Sequence, residues 1–423
     1  MKRFSFSYKL EDPESFIKKA IEFSSTKENF ILLNSNDNSI EYDFIMAYGI
    51  QSCFKSSNDS LKNFDKYINQ IKDWVFGYMS YDLKNEIESL RSNNEDVFNL
   101  PNMYFFQPKS IWYLKNNKLT ALFVKKGSIS KDWDKINSIK KINNKKHRSF
   151  KFKKRNSKEE YIEKIKGIKE KILIGDCYEM NFCFDIYNNN SSINPYETYM
   201  KLNDLTESPM STFLKIDDFF LISSSPERYL KKTSNVVISQ PIKGTAKRGV
   251  NLIDDNKIIK ALLSNKKELS ENHMIVDLVR NDLSRIAKKG SVKVSELSIL
   301  NTFKSIHQLI STIEAKIKPN KSISDVFKST FPMGSMTGAP KIKSMHMIDE
   351  FETTKRGLYS GSVGYIKPDM DFDFNVVIRS IIYKESLKKT CINVGSAITY
   401  KSNPKNEFDE CLLKAEPMIR SLK

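Results

Sequence analysis

Strand-like runs that follow one another without an intervening helix restrict the fold of this 423-residue chain more than any other feature. They lie at 177–186, 219–224, 235–240, 291–300, 360–366, 373–382 and 390–399. Helical segments are predicted near 252–286, 341–352 and 404–421. Because several consecutive β-rich stretches are not separated by helices, we predict an α+β fold rather than a doubly wound sheet.

A capping box at Ser157-Lys-Glu-Glu160 predicts the start of an amphipathic helix. Gly175-Asp176 ends the pattern, and the apolar residues between them recur at helical spacing: Ile162, Ile165, Ile168 and Ile172. Before this helix, residues 1–124 alternate short apolar runs with polar turns, which indicates strands and two or three helices. We therefore predict two regions, 1–150 and 151–423, with a basic linker at their boundary.

The formal net charge of +18 is concentrated in one stretch. Between Lys125 and Arg155 there are thirteen Lys or Arg and two Asp, so this stretch contributes +11 of the +18. A basic run can bind a polyanion, but no aromatic-basic RNA-binding motif or zinc-finger spacing accompanies it. We predict an exposed linker or surface hairpin here, and no nucleic-acid ligand.

Cysteine usage and hydropathy favour a cytoplasmic protein. The five cysteines form no Cys-x-x-Cys pair, and the apolar run at the N-terminus is too short for a secretory signal. No stretch reaches the roughly 18 apolar residues of a membrane span. We therefore expect reduced thiols and no membrane association.

Two predicted helical segments each contain a Glu-x-x-Glu pair, Glu268 with Glu271 and Glu407 with Glu410. A spacing of three places both carboxylates of a pair on one helix face. Taken alone, such a pair is typical of a solvated face. If the two faces oppose each other, however, their oxygens would suit Mg²⁺, a hard cation that prefers carboxylate and water ligands.

Lys243 stands near the end of a predicted strand, next to a glycine, in Pro241-Ile-Lys243-Gly-Thr245. A lysine in that position can be a desolvated nucleophile or an ordinary surface residue in a turn. The Gly- and Pro-rich segment Phe331-Pro-Met-Gly-Ser-Met-Thr-Gly-Ala-Pro-Lys341 is equally open. It can bind an anion at a helix N-terminus or simply connect two elements.

Seven motifs follow one another between about 157 and 420, namely Ser-Ser-Ser-Pro-Glu227-Arg, Pro-Ile-Lys243-Gly-Thr245, Glu271-Asn-His-Met-Ile-Val-Asp-Leu-Val-Arg-Asn-Asp, Gly-Ser-Met-Thr-Gly-Ala-Pro-Lys341, Gly-Ser-Val-Gly-Tyr365, Phe-Asn-Val-Val-Ile-Arg379 and Glu407-Phe-Asp-Glu-Cys-Leu-Leu-Lys414. In this order they resemble the chorismate-utilising enzymes, a family that contains anthranilate synthase component I, aminodeoxychorismate synthase component I, isochorismate synthase and salicylate synthase. The N-terminal third is similar to this family more loosely, through Phe76-Gly-Tyr-Met-Ser-Tyr-Asp-Leu. The resemblance implies two large stacked, antiparallel-rich β-sheets flanked by helices.

The resemblance also implies a metal-dependent chorismate site. Glu271 and Glu410 would hold Mg²⁺ against the ring carboxylate of chorismate. Glu268 and Glu407 would reach the metal mainly through water. All four residues belong to the two Glu-x-x-Glu pairs, so the resemblance assigns a function to a pattern that is ambiguous by itself.

Further positions receive roles from the same resemblance. Arg379 and Tyr365 would hold the enolpyruvyl carboxylate, a planar anion that suits a guanidinium fork. His307 would be an active-site histidine, although by itself it is typical of a partly buried structural residue. The other implied substrate contacts are Gly244, Thr245, Lys414 and the backbone amides of Gly395, Ser396 and Ala397.

Within the family, Lys243 is similar to the nucleophile of the aminodeoxychorismate synthases, where anthranilate synthases have alanine. The resemblance implies that its amine attacks C2 of chorismate while Glu227 protonates the departing C4 hydroxyl, after which ammonia adds at C4 and expels the lysine. Isochorismate and salicylate synthases need a lysine base in the strand after the first catalytic helix. This chain has Cys177-Tyr-Glu-Met-Asn-Phe-Cys-Phe-Asp there, without a lysine.

The expected function is therefore amination of chorismate to 4-amino-4-deoxychorismate, for p-aminobenzoate and folate synthesis. No Gly-x-Cys-x-Gly elbow of a glutaminase is present, so the ammonia would come from a separate glutamine amidotransferase subunit, in a heterodimer, or from solution. Two alternatives stay open. One is an anthranilate synthase component I with an unusual lysine, and the other is a non-catalytic or nucleic-acid-binding relative that retains the fold.

Overall fold

The computed structural model describes residues 2–36, 41–125, 128–139 and 150–423. Part of the predicted basic linker, 140–149, lies outside the described residues. Within them, no helix combines the length and the apolar character that crossing a membrane would require.

Twenty strands form in the described part of the chain: β1 (Phe4–Lys9), β2 (Phe30–Asn34), β3 (Phe44–Ser56), β4 (Val75–Met79), β5 (Met103–Lys115), β6 (Lys118–Phe123), β7 (Lys153–Lys154), β8 (Glu179–Asn188), β9 (Met210–Ile216), β10 (Phe219–Ser225), β11 (Arg228–Thr233), β12 (Val236–Gln240), β13 (Ile242–Lys247), β14 (Lys293–Thr302), β15 (Ile306–Lys316), β16 (Gly338–Ala339), β17 (Ser362–Ile366), β18 (Phe372–Asn375), β19 (Ser380–Lys384) and β20 (Lys389–Thr399).

Eleven α-helices lie between these strands in the same described residues: α1 (Pro13–Ser25), α2 (Ser60–Ile71), α3 (Lys84–Ile87), α4 (Ser128–Ser138), α5 (Lys158–Leu173), α6 (Pro195–Thr206), α7 (Leu252–Ser264), α8 (Lys266–Ser284), α9 (Ile323–Thr330), α10 (Lys341–Phe351) and α11 (Pro404–Ser421).

The strands form two antiparallel arms that share β5. The first arm runs β1-β6-β5-β3-β2-β9-β10-β19-β20-β8. The second runs β5-β4-β17-β18-β11-β12-β15, and β15 also pairs with β13 and β14. The first half of β5 pairs with β4 and its second half with β6, so one strand joins both arms into a single hydrogen-bonded network.

Two hydrophobic cores cover the two faces of the first arm. In β10, Leu221 belongs to the core between the arms, whereas Phe220 and Ile222 belong to the core beneath the helices. This alternation follows from the two-residue period of a strand. The second arm adds residues such as Val237 and Ile313 to the first core, so the arms stack on each other. The predicted α+β fold with stacked antiparallel sheets is confirmed.

Strands from both predicted regions pair with each other. β2 pairs with β9, and β4 pairs with β17, although position 150 lies between the partners in each case. The N-terminal region therefore supplies part of the sheet on which the catalytic region is built. The boundary near 150 adjoins residues outside the described part of the chain, and it stays a prediction.

Most predicted elements have structural counterparts, but two of them are divided. The helical stretch 252–286 breaks at Asn265, whose extended backbone ends α7 and whose side chain caps α8 by accepting from the amides of Lys267 and Glu268. The strand 373–382 breaks into β18 and β19 before Arg379, whose φ of +52° interrupts extended backbone. The first break lies just before Glu268 and Glu271, and the second contains Arg379, all of which line the candidate site.

The helix predicted from the capping box is confirmed as α5, with both reciprocal hydrogen bonds of the box between Ser157 and Glu160. Its residues Tyr161, Ile165 and Ile168 pack in the core beneath the first arm. The helix contacts β20 and α11. These two elements line the candidate site described below.

We expect Ile165→Ala to lower the free energy of unfolding by roughly 2–5 kcal/mol, because it leaves a cavity in a fully buried position. Urea denaturation followed by circular dichroism measures the change. Leu173→Ala is the matched control on the same helix, since Leu173 is 69% exposed, and it should change stability by about 0.5 kcal/mol or less. Equal losses in the two variants would contradict the assigned burial of α5.

Candidate active site

An open cavity lies beside β13, β20 and the N-terminal turns of α8 and α11. Twelve of the fifteen predicted site residues line it: Glu227, Lys243, Gly244, Thr245, Glu268, Glu271, Arg379, Gly395, Ala397, Glu407, Glu410 and Lys414. They come from segments up to 187 positions apart in sequence, between Glu227 and Lys414. The fold therefore brings most of the predicted constellation together.

A bulge in β13 directs Lys243 into the cavity. The pairing of β13 with β15 shifts register between Ile242 and Thr245, so Lys243 and Gly244 form an irregularity in the ladder. Gly244 has a φ of +86°, and a Cβ there would lie 3.2 Å from Leu309. Glycine adopts this positive φ without strain and leaves room for the Leu309 side chain. The strand thus bends at the residue that presents the amine.

The Lys243 amine lies among carboxylates. Its Nζ donates to Oε1 of Glu179 at 2.7 Å. Burial by itself lowers the pKa of Lys243, but the charges of Glu179 and Glu271 and the hydrogen bond to Glu179 outweigh it and leave the pKa raised. The raised pKa keeps the Lys243 amine protonated in the free protein.

Glu227 is a buried carboxyl that lines the same cavity. It follows β10, is 4% exposed, and accepts a hydrogen bond of 2.6 Å from the Ser335 hydroxyl. Burial raises its pKa to about 7, although that hydrogen bond and the charge of Lys243 act in the other direction. Glu227 is therefore suited to donate a proton near neutral pH.

The two Glu-x-x-Glu pairs face the same cavity from α8 and α11. Asn265 and Asn403 cap these helices, so each acidic pair lies in the first turns, where the helix dipole favours negative charge. Burial raises the pKa of Glu271 to about 7, and burial and the charge of Glu410 raise that of Glu268. These side chains together create an excess of negative charge.

A lysine links the two helices. Lys267 Nζ lies 2.9 Å from Oε1 of Glu407 and 3.6 Å from Oε1 of Glu271. The Glu271 oxygen is buried and has no hydrogen-bond donor within the described residues. In the part of the chain that the structure describes, no three acidic, His or Cys side chains approach closely enough to chelate a metal. The orphaned oxygen and the acidic donor set nevertheless fit a hard cation such as Mg²⁺.

Arg379 is a cation without a carboxylate partner among the described residues. Its Nη1 makes one long contact, 3.5 Å, to the backbone oxygen of Lys414. Burial lowers its pKa, although the charge of Glu410, which forms no ion pair with it, acts in the other direction. Nearby, Lys414 Nζ bonds to Glu410 at 2.7 Å and to the Gly395 oxygen at 2.9 Å. This end of the cavity is suited to an anionic ligand.

The sequence pattern that defines the chorismate binding enzymes matches residues 26–420. The chain belongs to the chorismate binding enzymes. It is 29% identical to aminodeoxychorismate synthase component 1 of Bacillus subtilis (strain 168) over 362 residues, covering 82% of this chain and 76% of that protein. It is 30% identical to anthranilate synthase component 1 of Lactococcus lactis subsp. lactis (strain IL1403), with coverages of 82% and 78%.

Solved structures support the same assignment. The crystal structure of anthranilate synthase component I from Streptococcus pneumoniae TIGR4 superimposes with a TM-score of 0.78 at 25% identity, covering 89% of this chain and 92% of that chain. The cavity is therefore the candidate active site of a chorismate binding enzyme. The similar identities to two kinds of synthase leave the particular reaction to be argued from the residues.

Tyr365 does not take part in this chorismate site. Its ring is 4% exposed and packs against Tyr42, Trp74 and Phe76, in a separate cavity beyond β17. This position does not fit its predicted role as a clamp, because Tyr365 lines that separate cavity and not the one that contains Lys243. Tyr359 lines the active-site cavity instead.

Two further predicted residues direct their side chains away from the cavity, although the predicted contact of Ser396, through its backbone amide, stays a prediction. His307 is fully buried, and its ring nitrogens bond to Asp255 and Thr302, each at 2.8 Å. It therefore supports β13, with which its strand pairs, and does not contact the cavity. The Ser396 side chain lies on the opposite face of β20 from Gly395 and Ala397 and contacts the Tyr161 hydroxyl at 3.1 Å.

The structure adds lining or contacting residues to which the sequence analysis assigned no individual role: Glu179, Asn181, Lys267, Ser335, Met336 and Tyr359. Ser335 and Met336 belong to the Gly- and Pro-rich segment, which therefore builds the active site rather than merely connecting elements. Its Lys341 bonds to Asp282. A charged residue beginning a buried strand, as Glu179 does, is the one sequence signal that could have directed attention there.

Proposed function

We propose that the chain is the synthase component that aminates chorismate at C4, forming 4-amino-4-deoxychorismate for p-aminobenzoate and folate synthesis. The observation that supports this most strongly is Lys243, a buried amine presented by a strand bulge inside the chorismate cavity. An allylic hydroxyl is a poor leaving group, and a tethered nucleophile makes its displacement effectively intramolecular.

Lys243 and Glu227 would divide the chemistry between them. The amine of Lys243 forms a bond to C2, the ring double bonds shift, and the C4 hydroxyl leaves as water with a proton from Glu227. Ammonia then adds at C4, the double bonds shift back, and the bond to Lys243 breaks. The raised pKa of Glu227, about 7, keeps a proton available for the first step.

Chorismate has two carboxylates, and the cavity has two regions suited to them. Arg379 and Lys414, with the Gly395 and Ala397 segment of β20, would hold the enolpyruvyl carboxylate. Glu271 and Glu410, assisted by Glu268 and Glu407, would hold Mg²⁺. When bound, the metal would neutralise the ring carboxylate and polarise the ring.

A separate glutamine amidotransferase subunit would supply the ammonia. The Bacillus subtilis relative is named a component 1, and the sequence contains no glutaminase elbow. We therefore propose a heterodimer in the cytoplasm.

The second candidate is anthranilate synthase component I, which the 30% identity to the Lactococcus protein favours. That reaction would leave the Lys243 amine without a use at the centre of the cavity. A nucleic-acid-binding role is not supported by the cavity, because its acidic side chains would repel a polyanion.

We expect chorismate, Mg²⁺ and an ammonium salt to yield p-aminobenzoate only after an aminodeoxychorismate lyase is added. Lys243→Ala should lower this C4 amination at least about 100-fold, because it removes the nucleophile. Lys247→Ala, an exposed lysine of the same strand, is the matched control and should retain the rate. Direct formation of fluorescent anthranilate by the unaltered protein would instead establish the second candidate.

The metal assignment predicts that Glu271→Gln weakens Mg²⁺ activation of chorismate consumption by at least about tenfold, since it replaces a hard anionic ligand. The measurement is turnover as a function of Mg²⁺ concentration, with circular dichroism to verify folding. Glu163→Gln, on the exposed face of α5, is the control. An unchanged Mg²⁺ dependence in Glu271→Gln would exclude this ligand.

The acid role of Glu227 predicts the pH profile. Because the protonated form is active and the pKa is about 7, kcat/KM for chorismate should fall as the pH rises above 7. Ser335→Ala removes a hydrogen bond that lowers this pKa, so the falling limb should move to higher pH. A limb that stays in place, or moves to lower pH, would show that Glu227 is not the group being titrated.

A further inference from the structure

Glu179 begins β8 and lies directly behind Lys243. Its side chain is completely buried, and Oε1 accepts the hydrogen bond of 2.7 Å from Lys243 Nζ. Neither the Glu-x-x-Glu pairs nor any of the seven motifs includes this residue. It nevertheless touches the one atom that the proposed reaction makes nucleophilic.

The second oxygen of Glu179 is unusual. Oε2 is buried, and no group within the described residues donates a hydrogen bond to it. An unsatisfied buried oxygen costs free energy, and such atoms in a folded protein often belong to functional groups. One oxygen of the carboxylate therefore accepts a hydrogen bond from Lys243, and the other can still accept a proton.

The position of Glu179 is held firmly. Its backbone oxygen accepts from the Ser344 hydroxyl at 3.2 Å. Gly338 approaches so closely that a Cβ there would lie 2.1 Å from the same oxygen. The β8–β20 and β8–β16 ladders fix the strand on both sides. The carboxylate consequently stays beside Lys243 rather than swinging to solvent.

Lys243 must lose a proton before its nitrogen can attack carbon, and it has few groups to receive that proton. Glu227 has to begin the reaction protonated and is engaged by Ser335. Glu271 and Glu268 face the proposed metal position. Glu179 is the carboxylate that already shares a hydrogen bond with the amine, so transfer requires movement only along that bond.

We propose that Glu179 is the proton acceptor of Lys243, a step that rests on the proposed function. As the nitrogen of Lys243 bonds to C2, its proton passes to Glu179, and the proton of Glu227 leaves with the C4 hydroxyl as water. When ammonia bonds to C4 and the C2–nitrogen bond breaks, Glu179 returns its proton to Lys243. Glu227 regains a proton from the new ammonium group, so both acids are restored.

The competing account makes Glu179 only a counter-ion that keeps Lys243 protonated. The two roles predict opposite results for Glu179→Gln, whose amide has the same shape and still accepts a hydrogen bond. Loss of a counter-ion would ease deprotonation and speed attack at neutral pH. Loss of the proton acceptor would slow it, by a factor of about 100 to 10,000 if the contribution is typical.

The experiment is a single-turnover measurement with chorismate and Mg²⁺ but no ammonia, in which mass spectrometry follows the substrate adduct on the Lys243 peptide. In Glu179→Gln, the rate at pH 7 should fall at least about 100-fold. It should also increase about tenfold per pH unit between roughly pH 5.5 and 7, where solvent must remove the proton. In the unaltered protein, the rate of adduct formation should be nearly independent of pH in that range.

Glu179→Asp guards against a purely structural effect. It retains a carboxylate, so it should restore part of the rate of adduct formation and make that rate nearly independent of pH again. A structural defect would instead slow both variants without changing how the rate depends on pH. Glu163→Gln should behave as the unaltered protein. Chorismate affinity, measured by fluorescence titration, should change less than about threefold in Glu179→Gln if only proton transfer is affected.

The outcomes separate this proposal from the proposed function. An adduct that forms in Glu179→Gln as fast as in the unaltered protein, or faster, overturns the proton-acceptor role and leaves Lys243 as the nucleophile. Equal slowing of Glu179→Gln and Glu179→Asp with level profiles overturns it as well. Absence of any adduct in the unaltered protein, together with normal C4 amination, overturns the covalent function itself.

Discussion

The structure of this site depends on balancing charges that lie close together in a partly enclosed cavity. Six carboxylates surround the cavity, against four cations: Glu179, Glu227, Glu268, Glu271, Glu407 and Glu410, with Lys243, Lys267, Lys414 and Arg379. Buried charges are tolerated when they are paired and hydrogen-bonded, and three lysines meet that need. Arg379 has no carboxylate partner among the described residues. The cavity is thus acidic at the helix N-termini and basic at Arg379. A metal ion would neutralise the acidic end, and a carboxylate of the substrate would neutralise Arg379.

This charge arrangement requires backbone positions that only a large sheet network can hold. The cavity takes Lys243 from one arm and Gly395 from the other, while α8 and α11 add their first turns. Because β5 belongs to both arms, residues far apart in sequence keep a fixed separation. Alternation along β20 then decides which neighbours face the substrate: Gly395 and Ala397 do, while Ser396 turns toward Tyr161.

The sequence alone was sufficient for features that depend on local chemistry, such as the capping box of α5 and the placement of each Glu-x-x-Glu pair on a helix. It was insufficient where contacts between residues far apart in sequence decide the direction of a side chain or the shift of a pKa. Tyr365 lies in a matching motif, yet the strand directs its ring into an aromatic cluster. The sign of the Lys243 pKa shift depends on Glu179, 64 positions away. β15 was missed because His307, Gln308 and other polar residues on a buried strand obscure its hydrophobic pattern.

Glu179 also bears on the choice among family reactions. Relatives that add water use a lysine base in the strand that follows the first catalytic helix, and here that strand, β8, begins with a carboxylate. The lysine, Lys243, is on β13 instead, and it donates a 2.7 Å hydrogen bond to the Glu179 carboxylate. A carboxylate fully enclosed behind Lys243 has no access to a water at the ring, but it can exchange a proton with the amine. The pair is therefore suited to nitrogen chemistry, and its geometry supports covalent amination over both hydration and direct attack by free ammonia.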